Sequence, residues 1–226
     1  MIIAIDGPSG AGKSTITHEA ARQLGFSCLD TGAMYRSVAW RALENGVALD
    51  DASALERIAR EYPIRFVHEA GNPAPKQVFI GTAEVTDAIR TARIDRSVSA
   101  VSAVPGVRAA LVDQQRVIGQ GGNYVVEGRD IGTVVFPDAQ VKVFLTASVE
   151  ERARRRVQQN EQRGVGSCVY EEVLADLQRR DDYDSSRAAS PLKPAEDAVL
   201  LDSTALSFEE VLDCICRMAR EAQERA

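Results

Sequence analysis

Residues 7–15, GPSGAGKST, follow directly on the apolar run MIIAI and gather three glycines, a lysine and hydroxyl groups at fixed spacing. Glycines at 7, 10 and 12 can take backbone angles closed to other residues and let the chain curl around an anion. The curl turns successive N–H groups inward, and the helix that follows adds the partial positive charge of its N-terminus. In a Gly-x-x-x-x-Gly-Lys-Ser pattern, Lys13 is expected to reach the β- and γ-phosphates of a nucleotide, and Ser14 to place its hydroxyl on Mg²⁺. The stretch Gly7, Pro8, Ser9, Gly10, Ala11, Gly12, Lys13, Ser14 and Thr15 is therefore read as a nucleotide-phosphate cradle. Three kinds of chemistry are open to it: switching on the phosphate, hydrolysing it, or handing it on.

A second signal is the imbalance among cations: of 27 lysines and arginines, only Lys13, Lys76, Lys142 and Lys193 are lysine. An arginine-rich genome explains that as readily as function does. Arginine, however, grips phosphate with two parallel hydrogen bonds, so arginines inside motifs carry the functional reading. Arg36 in DTGAMYR and Arg129 in GRD are of this kind. Arg152, Arg155 and Arg156 stand at i, i+3 and i+4, where one helical face could present all three. Solvated ion pairs with nearby glutamates are the other reading of that face. The only histidines are His18 and His68, and Cys28, Cys168, Cys214 and Cys216 show neither a secreted disulfide framework nor zinc spacing. Reduced thiols in a cytoplasmic protein are expected. A net charge of −6 argues against long nucleic acids as partners. No apolar run is long enough to span a membrane, and MIIAI lacks the basic flank and cleavage site of a signal peptide.

The elements that must position these residues alternate. With 226 residues there is room for one α/β domain with an inserted lobe. MIIAI and FSCLD read as strands around a helix over 13–24 that Gly25 ends, and a second helix is expected from about Gly32 to Asn45. DDASALERIAREY suits a short helix behind acidic caps. Residues 64–81 read as a two-strand hairpin around Gly-Asn-Pro, and 84–119 as mainly helical with a break at Pro105-Gly106. YVVEG and VKVFL are strand-like, a long charged stretch runs from Ser148 to Asp182 with an interruption near Gly164–Gly166, DAVLLD is a last strand, and 207–224 form an amphipathic helix. Such alternation implies a parallel sheet flanked by helices, with ligands at the carboxyl ends of the strands. The loaded stretches sit there: GPSGAGKS after the first strand, DTGAMYR after the second, GRD after YVVE.

The strings discriminate among phosphate chemistries. A GTPase switch carries Asn-Lys-x-Asp and Asp-x-x-Gly, and neither occurs. A motor or transporter ATPase needs a late strand ending in a metal-organising carboxylate; Asp202 in AVLLDS has the place, but STALS follows with no catalytic glutamate beside it. Asp202 is expected instead to help cap the final helix. A nucleotide-sensing module that binds without transfer gives no reason for an acceptor set of arginines. DTGAMYR, with its Thr-Gly-x-x-x-Arg pattern, resembles the acceptor helix of nucleoside monophosphate kinases. GRDIGTVVFPDA and RDDYDSSRAASPLKPAEDAVLLDST are similar to bacterial cytidylate kinases, and the similarity runs from Ile3 to the last helix.

That resemblance implies a P-loop kinase of α/β class with an inserted acceptor-binding lobe and a short mobile lid. The core falls at about 1–31, 106–150 and 168–226, the lobe at about 32–105 and the lid at about 151–167. It implies transfer of the γ-phosphoryl group of ATP, with Mg²⁺, to CMP or dCMP by a cytoplasmic monomer. By resemblance Lys13 is catalytic, and Arg36, Arg129 and Arg187 hold the acceptor phosphate. Arg180 and Asp184 lie near the acceptor sugar, Thr31 and Tyr35 line the acceptor site, and Ser99, Arg108 and Asp130 read cytosine. Arg155 and Arg156 reach ATP from the lid. The acceptor is a phosphate, ionised near neutral pH, so no general base is needed and the absence of a catalytic histidine fits. Two departures stand out: Glu127 precedes GRD where aspartate is also common, and Ser14 replaces a glycine, which adds a hydroxyl for Mg²⁺.

Overall fold

A computed structural model describes residues 1–164, 166–187 and 189–225 of the chain. Val165 of the expected lid, and Ala188 and Ala226 of the expected core, lie outside the described residues. In chain order the elements are β1 (Ile2–Asp6), α1 (Lys13–Leu24), β2 (Ser27–Asp30), α2 (Thr31–Glu44), α3 (Ala52–Glu61), β3 (Ile64–His68), β4 (Pro75–Ile80), β5 (Ala83–Glu84), α4 (Ala92–Ala103), α5 (Pro105–Gly119), β6 (Tyr124–Gly128), β7 (Val141–Thr146), α6 (Val149–Arg163), α7 (Tyr170–Ser186), β8 (Val199–Asp202) and α8 (Phe208–Glu224). A short 3₁₀ turn covers Ala88–Arg90 and a π turn covers Ile131–Val135.

They divide into two compact units, Met1–Leu29 with Asn123–Ala226, and Asp30–Gly122. The first unit carries a five-stranded sheet in the order β2-β6-β1-β7-β8. β1 runs parallel to both β6 and β7, and β8 runs parallel to β7. Ile3, Ile5, Val125, Val143 and Leu145 from the central strands pack with Ile16 and Ala20 of α1 and Leu212, Ile215 and Ala219 of α8 into one apolar core. Fully burying each large aliphatic side chain contributes about 1.5–3 kcal/mol, so this core outweighs any single polar contact in the unit. Helix boundaries follow local chemistry. α1 ends at Gly25, whose left-handed φ of 69° returns its N–H to the Ala21 carbonyl. α8 begins with a capping box between Ser207 and Glu210. Asp202, expected to help cap that helix, accepts instead from the N–H and hydroxyl of Thr204, because Ser207 stands at the cap position. β8 forms where DAVLLD is expected as a last strand, and it leaves Val199 and Leu200 exposed at the sheet's outer edge.

The second unit holds α2 to α5 and the antiparallel sheet β3-β4-β5. The expected hairpin is there, extended by the two residues of β5. α5, placed by the sequence reading in the core, belongs to this unit. Gln114 on α5 donates to the Ala59 carbonyl of α3 at 2.8 Å and accepts from the Ile64 N–H at the start of β3 at 2.9 Å. Pro105 at the first turn of α5 supplies the expected break, since its missing N–H is one the helix start leaves unpaired in any case.

Candidate active site

In the first unit the phosphate loop joins β1 to α1. Gly7 leaves β1 at φ 149°, and a Cβ there would stand 1.9 Å from the Leu145 carbonyl oxygen, so only glycine lets the loop start this close to β7. Gly12 precedes α1 at φ 89° and no side chain caps the helix, which leaves its first N–H groups for an anion. Lys13 is buried, and its ammonium donates to the carbonyls of Gly7 and Pro8, both at 2.8 Å. Burial first, and then the charge of Arg129, pull its pKa down from 10.5 to about 7. An anion at the loop would act in the other direction, since its negative charge favours the charged ammonium. Ser14 donates its hydroxyl to a carboxylate oxygen of Glu127 at 2.8 Å. Glu127 is buried at the end of β6, so the residue that the sequence treats as a spelling variant of aspartate touches the expected metal-binding hydroxyl.

β1 and β6 are in register, with Asp6 opposite Gly128, so the phosphate loop and Gly128-Arg129-Asp130 leave the sheet side by side. Nothing in the spacing singles out Asp6. Its buried carboxylate accepts from the N–H groups of Ile131 at 2.7 Å and Gly132 at 2.8 Å, tying β1 to the π turn that follows GRD. Burial raises its pKa from 3.8 to about 6; the two backbone bonds work against the rise, Asp130 adds to it, and Lys13 opposes it. Asp130 is itself buried, and its carbonyl accepts from the N–H groups of Val134 and Val135.

Asp184 on α7 accepts from Arg129 at 2.9 Å and lies 3.6 Å from the Arg187 guanidinium. The structure thus brings Arg129, Asp184 and Arg187 together, and the carboxylate expected beside a sugar is engaged by two arginines. Arg180 sits half-buried on the same helix. Arg152, Arg155 and Arg156 stand on α6 with different partners, and Arg155 also pairs with Glu151 at 3.0 Å, the ion pair of the other reading. Arg152 is turned inward, Arg155 bonds the hydroxyl and carbonyl of Ser203 beyond β8, and Arg156 bonds Gln159. The i, i+3, i+4 rule places side chains on one side of a helix but does not say which carbonyls they meet there.

The second unit carries the remaining expected residues. Asp30 caps α2 by accepting from the Ala33 N–H at 2.9 Å, which sets Thr31, Tyr35 and Arg36 in its first two turns. Arg36 pairs with Asp95 on α4 at 2.5 Å. Arg108 on α5 is buried, donates to the Ser102 carbonyl at 3.1 Å and lies 5.3 Å from the centre of the Tyr35 ring, a cation–π distance. The Ser102 hydroxyl in turn bonds the Ser99 carbonyl, so Tyr35, Arg108 and Ser99 form one group. Asp130, expected with Ser99 and Arg108, lies in the other unit.

A family model described as cytidylate kinase matches residues 3–221. The chain belongs to the cytidylate kinase family. It is 47% identical over 223 residues to a cytidylate kinase of Saccharophagus degradans, covering 99% of this chain and 98% of that one. It is 49% identical over 225 residues to a bifunctional pantoate ligase/cytidylate kinase of Synechococcus, covering all of this chain but only 42% of that protein. In fold it is similar to the crystal structure of an uncharacterized protein from Eubacterium ventriosum, with a TM-score of 0.51, 11% identity and 98% of each chain covered. Among kinases of such families Mg²⁺ takes only one or two protein oxygens and fills its octahedron with phosphate oxygens and water. A serine hydroxyl beside a buried carboxylate, both next to Lys13, fits that requirement.

Proposed function

We propose that this member of the cytidylate kinase family transfers the γ-phosphoryl group of ATP to CMP or dCMP, giving CDP or dCDP and ADP, in pyrimidine nucleotide metabolism. The observation that carries the reading is the adjacency of β1 and β6: a nucleotide-phosphate loop leaves one strand, and beside it the other delivers an arginine fixed by a carboxylate. Little covalent work falls to the protein, because the acceptor phosphate is already a nucleophile at neutral pH. Positioning and charge neutralisation supply the catalysis. Lys13 moves from the loop carbonyls to the transferring phosphoryl group. Arg36, Arg129 and Arg187 hold the acceptor phosphate. Arg180 and Asp184 face its sugar, Thr31 and Tyr35 line its site, and Ser99, Arg108 and Asp130 read the base. Arg155 and Arg156 meet ATP from the lid at about 151–167. Ser14 and Glu127 are the side chains that would hold Mg²⁺, which would supply charge neutralisation to the nucleotide phosphates.

The carboxylate of Asp130 suits the exocyclic amine of cytosine, and Arg108 suits its ring nitrogen and carbonyl. Uracil reverses two of these polarities and strands buried groups. Free nucleotides are the partners in this reading, with no nucleic acid polymer and no membrane, and the protein acts as a cytoplasmic monomer. A charge of −6 disfavours polyanions, and no helix among the described residues is long and apolar enough to cross a membrane. A coupled ADP-release assay with ATP and each of CMP, dCMP, UMP and AMP tests the reading. CMP and dCMP are expected to turn over fastest. ATP binding without transfer to any monophosphate would replace the kinase with a nucleotide sensor.

A further inference from the structure

Arg152, at the start of α6, is only 5% exposed, and its guanidinium joins three segments of the first unit. Nε donates to the Ala147 carbonyl and Nη1 to the Ser9 carbonyl, both at 3.0 Å, while Nη2 meets Asp181 of α7 at 2.7 Å. The phosphate loop is fitted to this side chain: a Cβ on Gly10 would stand 3.2 Å from the Arg152 Cβ. A loop that turns its N–H groups toward an anion turns carbonyls outward, and an outward carbonyl removed from water needs a donor. Arg152 provides one to Ser9 through a charge-assisted bond.

The other end of the contact leads toward the acceptor arginines. Asp181 and Asp184 are three residues apart on α7 and so share a face. Asp184 holds Arg129 at 2.9 Å. The second oxygen of Asp181 has no hydrogen-bond partner among the described residues, which makes Arg152 its counter-charge. Ser9, Arg152, Asp181, one turn of α7, Asp184 and Arg129 therefore form a continuous polar line from the phosphate loop to the GRD loop.

We propose that Arg152 is a positioning residue: it fixes α7, and through it the Asp184–Arg129 pair, against the phosphate loop, and it makes no contact with ATP. The proposal rests on the kinase reading only for the identity of the acceptor. Three measurements test it on Asp181→Ala, Asp181→Asn, Arg152→Gln and the Arg152→Gln/Asp181→Ala double variant. These are ATP affinity by calorimetry without acceptor, steady-state kinetics in CMP at saturating ATP, and amide exchange along α7 with and without ATP. Asp181→Ala is expected to lower kcat/KM for CMP by roughly tenfold to a hundredfold while ATP affinity stays within about threefold, the effect of misplacing a binding group by about an ångström. Asp181→Asn, which still accepts one bond, recovers part of that loss. The double variant is no worse than Arg152→Gln alone, because both residues act along one line. ATP slows amide exchange in α7 of the wild type and does not in Asp181→Ala. Equal protection of α7 by ATP in both proteins, or an Arg152→Gln variant whose only defect is weak ATP binding, overturns the proposal. The exchange readout needs no acceptor, so a wild type that fails to phosphorylate CMP would remove the kinase reading and leave this test intact.

Discussion

Asp6→Asn separates stability from turnover. Burial carries the Asp6 carboxyl from 3.8 to about 6 against the pull of two backbone N–H bonds. The folded chain therefore holds this proton more tightly than the unfolded chain. The corresponding stability is fully present below pH 3.8 and is lost as pH rises through about 6. The shift amounts to about 3 kcal/mol. Asparagine is neutral at every pH and carries no such loss. Between pH 4 and 7.5 the melting temperature of the variant is thus expected to rise relative to wild type by about 6–12 °C, at about 2–4 °C per kcal/mol for a chain of this size. At neutral pH the ionised carboxylate accepts two bonds, whereas asparagine accepts one and sets its amide against the other N–H, stranding a donor at a cost of about 1–3 kcal/mol. The π turn shifts to relieve that clash, and Arg129 and Asp130 shift with it. Turnover should fall in a variant that has not lost stability at neutral pH. The assays are thermal melts of both proteins across the pH range and CMP kinetics at pH 7.5. A melting difference that stays constant with pH refutes the burial argument, and unchanged CMP kinetics refute the role of Asp6 in placing GRD.

Lys13→Ala is expected to lower turnover at least a hundredfold, through loss of charge on the transferring phosphoryl group. Because burial depresses the lysine from 10.5 toward about 7, wild type should also gain melting temperature relative to this variant as pH rises from 7 to 10. Arg36→Ala removes the partner of Asp95 in the second unit and should weaken CMP use, with ATP affinity by calorimetry unchanged. Collapse of ATP affinity with normal CMP kinetics would mean that the two sites are assigned backwards. Asp130→Asn places a donor opposite the cytosine amine, so kcat/KM for CMP should fall by about 1–3 kcal/mol in transition-state terms while UMP loses less. An unchanged CMP/UMP ratio with lowered rates for both would leave Asp130 an organiser of the loop.

Local chemistry was legible in the sequence. The glycine-lysine string specifies the turn out of β1 and the start of α1, and Gly25, Asp51 and Pro105 mark helix ends because each acts on its own neighbours. Contacts that depend on register were not. Asp6 looks like the polar end of an apolar strand, and its partners lie 125 and 126 residues away, brought to it by the pairing of β1 with β6. Gln114 draws α5 to α3 and β3 through bonds spanning 55 and 50 residues, which no periodicity encodes. The apolar β8 differs from a buried strand only in its place at the sheet edge, a property of strand order.

The arginines divide by burial. Arg22, Arg60, Arg154 and Arg179 pair with glutamate or aspartate three or four residues away, and their side chains are 62%, 54%, 64% and 73% exposed. Pairs of this kind contribute little to stability, so a compositional bias accounts for them. The side chains of Arg36, Arg129, Arg152 and Arg187 are 19%, 23%, 6% and 6% exposed; the first three meet Asp95, Asp184 and Asp181 from distant parts of the chain, and Arg187 lies against Asp184. A guanidinium withdrawn from water needs a fixed anion when no phosphate is bound, and these aspartates supply it. The net charge of −6 belongs with this pattern: the acids that exceed the bases over the whole chain include the aspartates that pair these arginines.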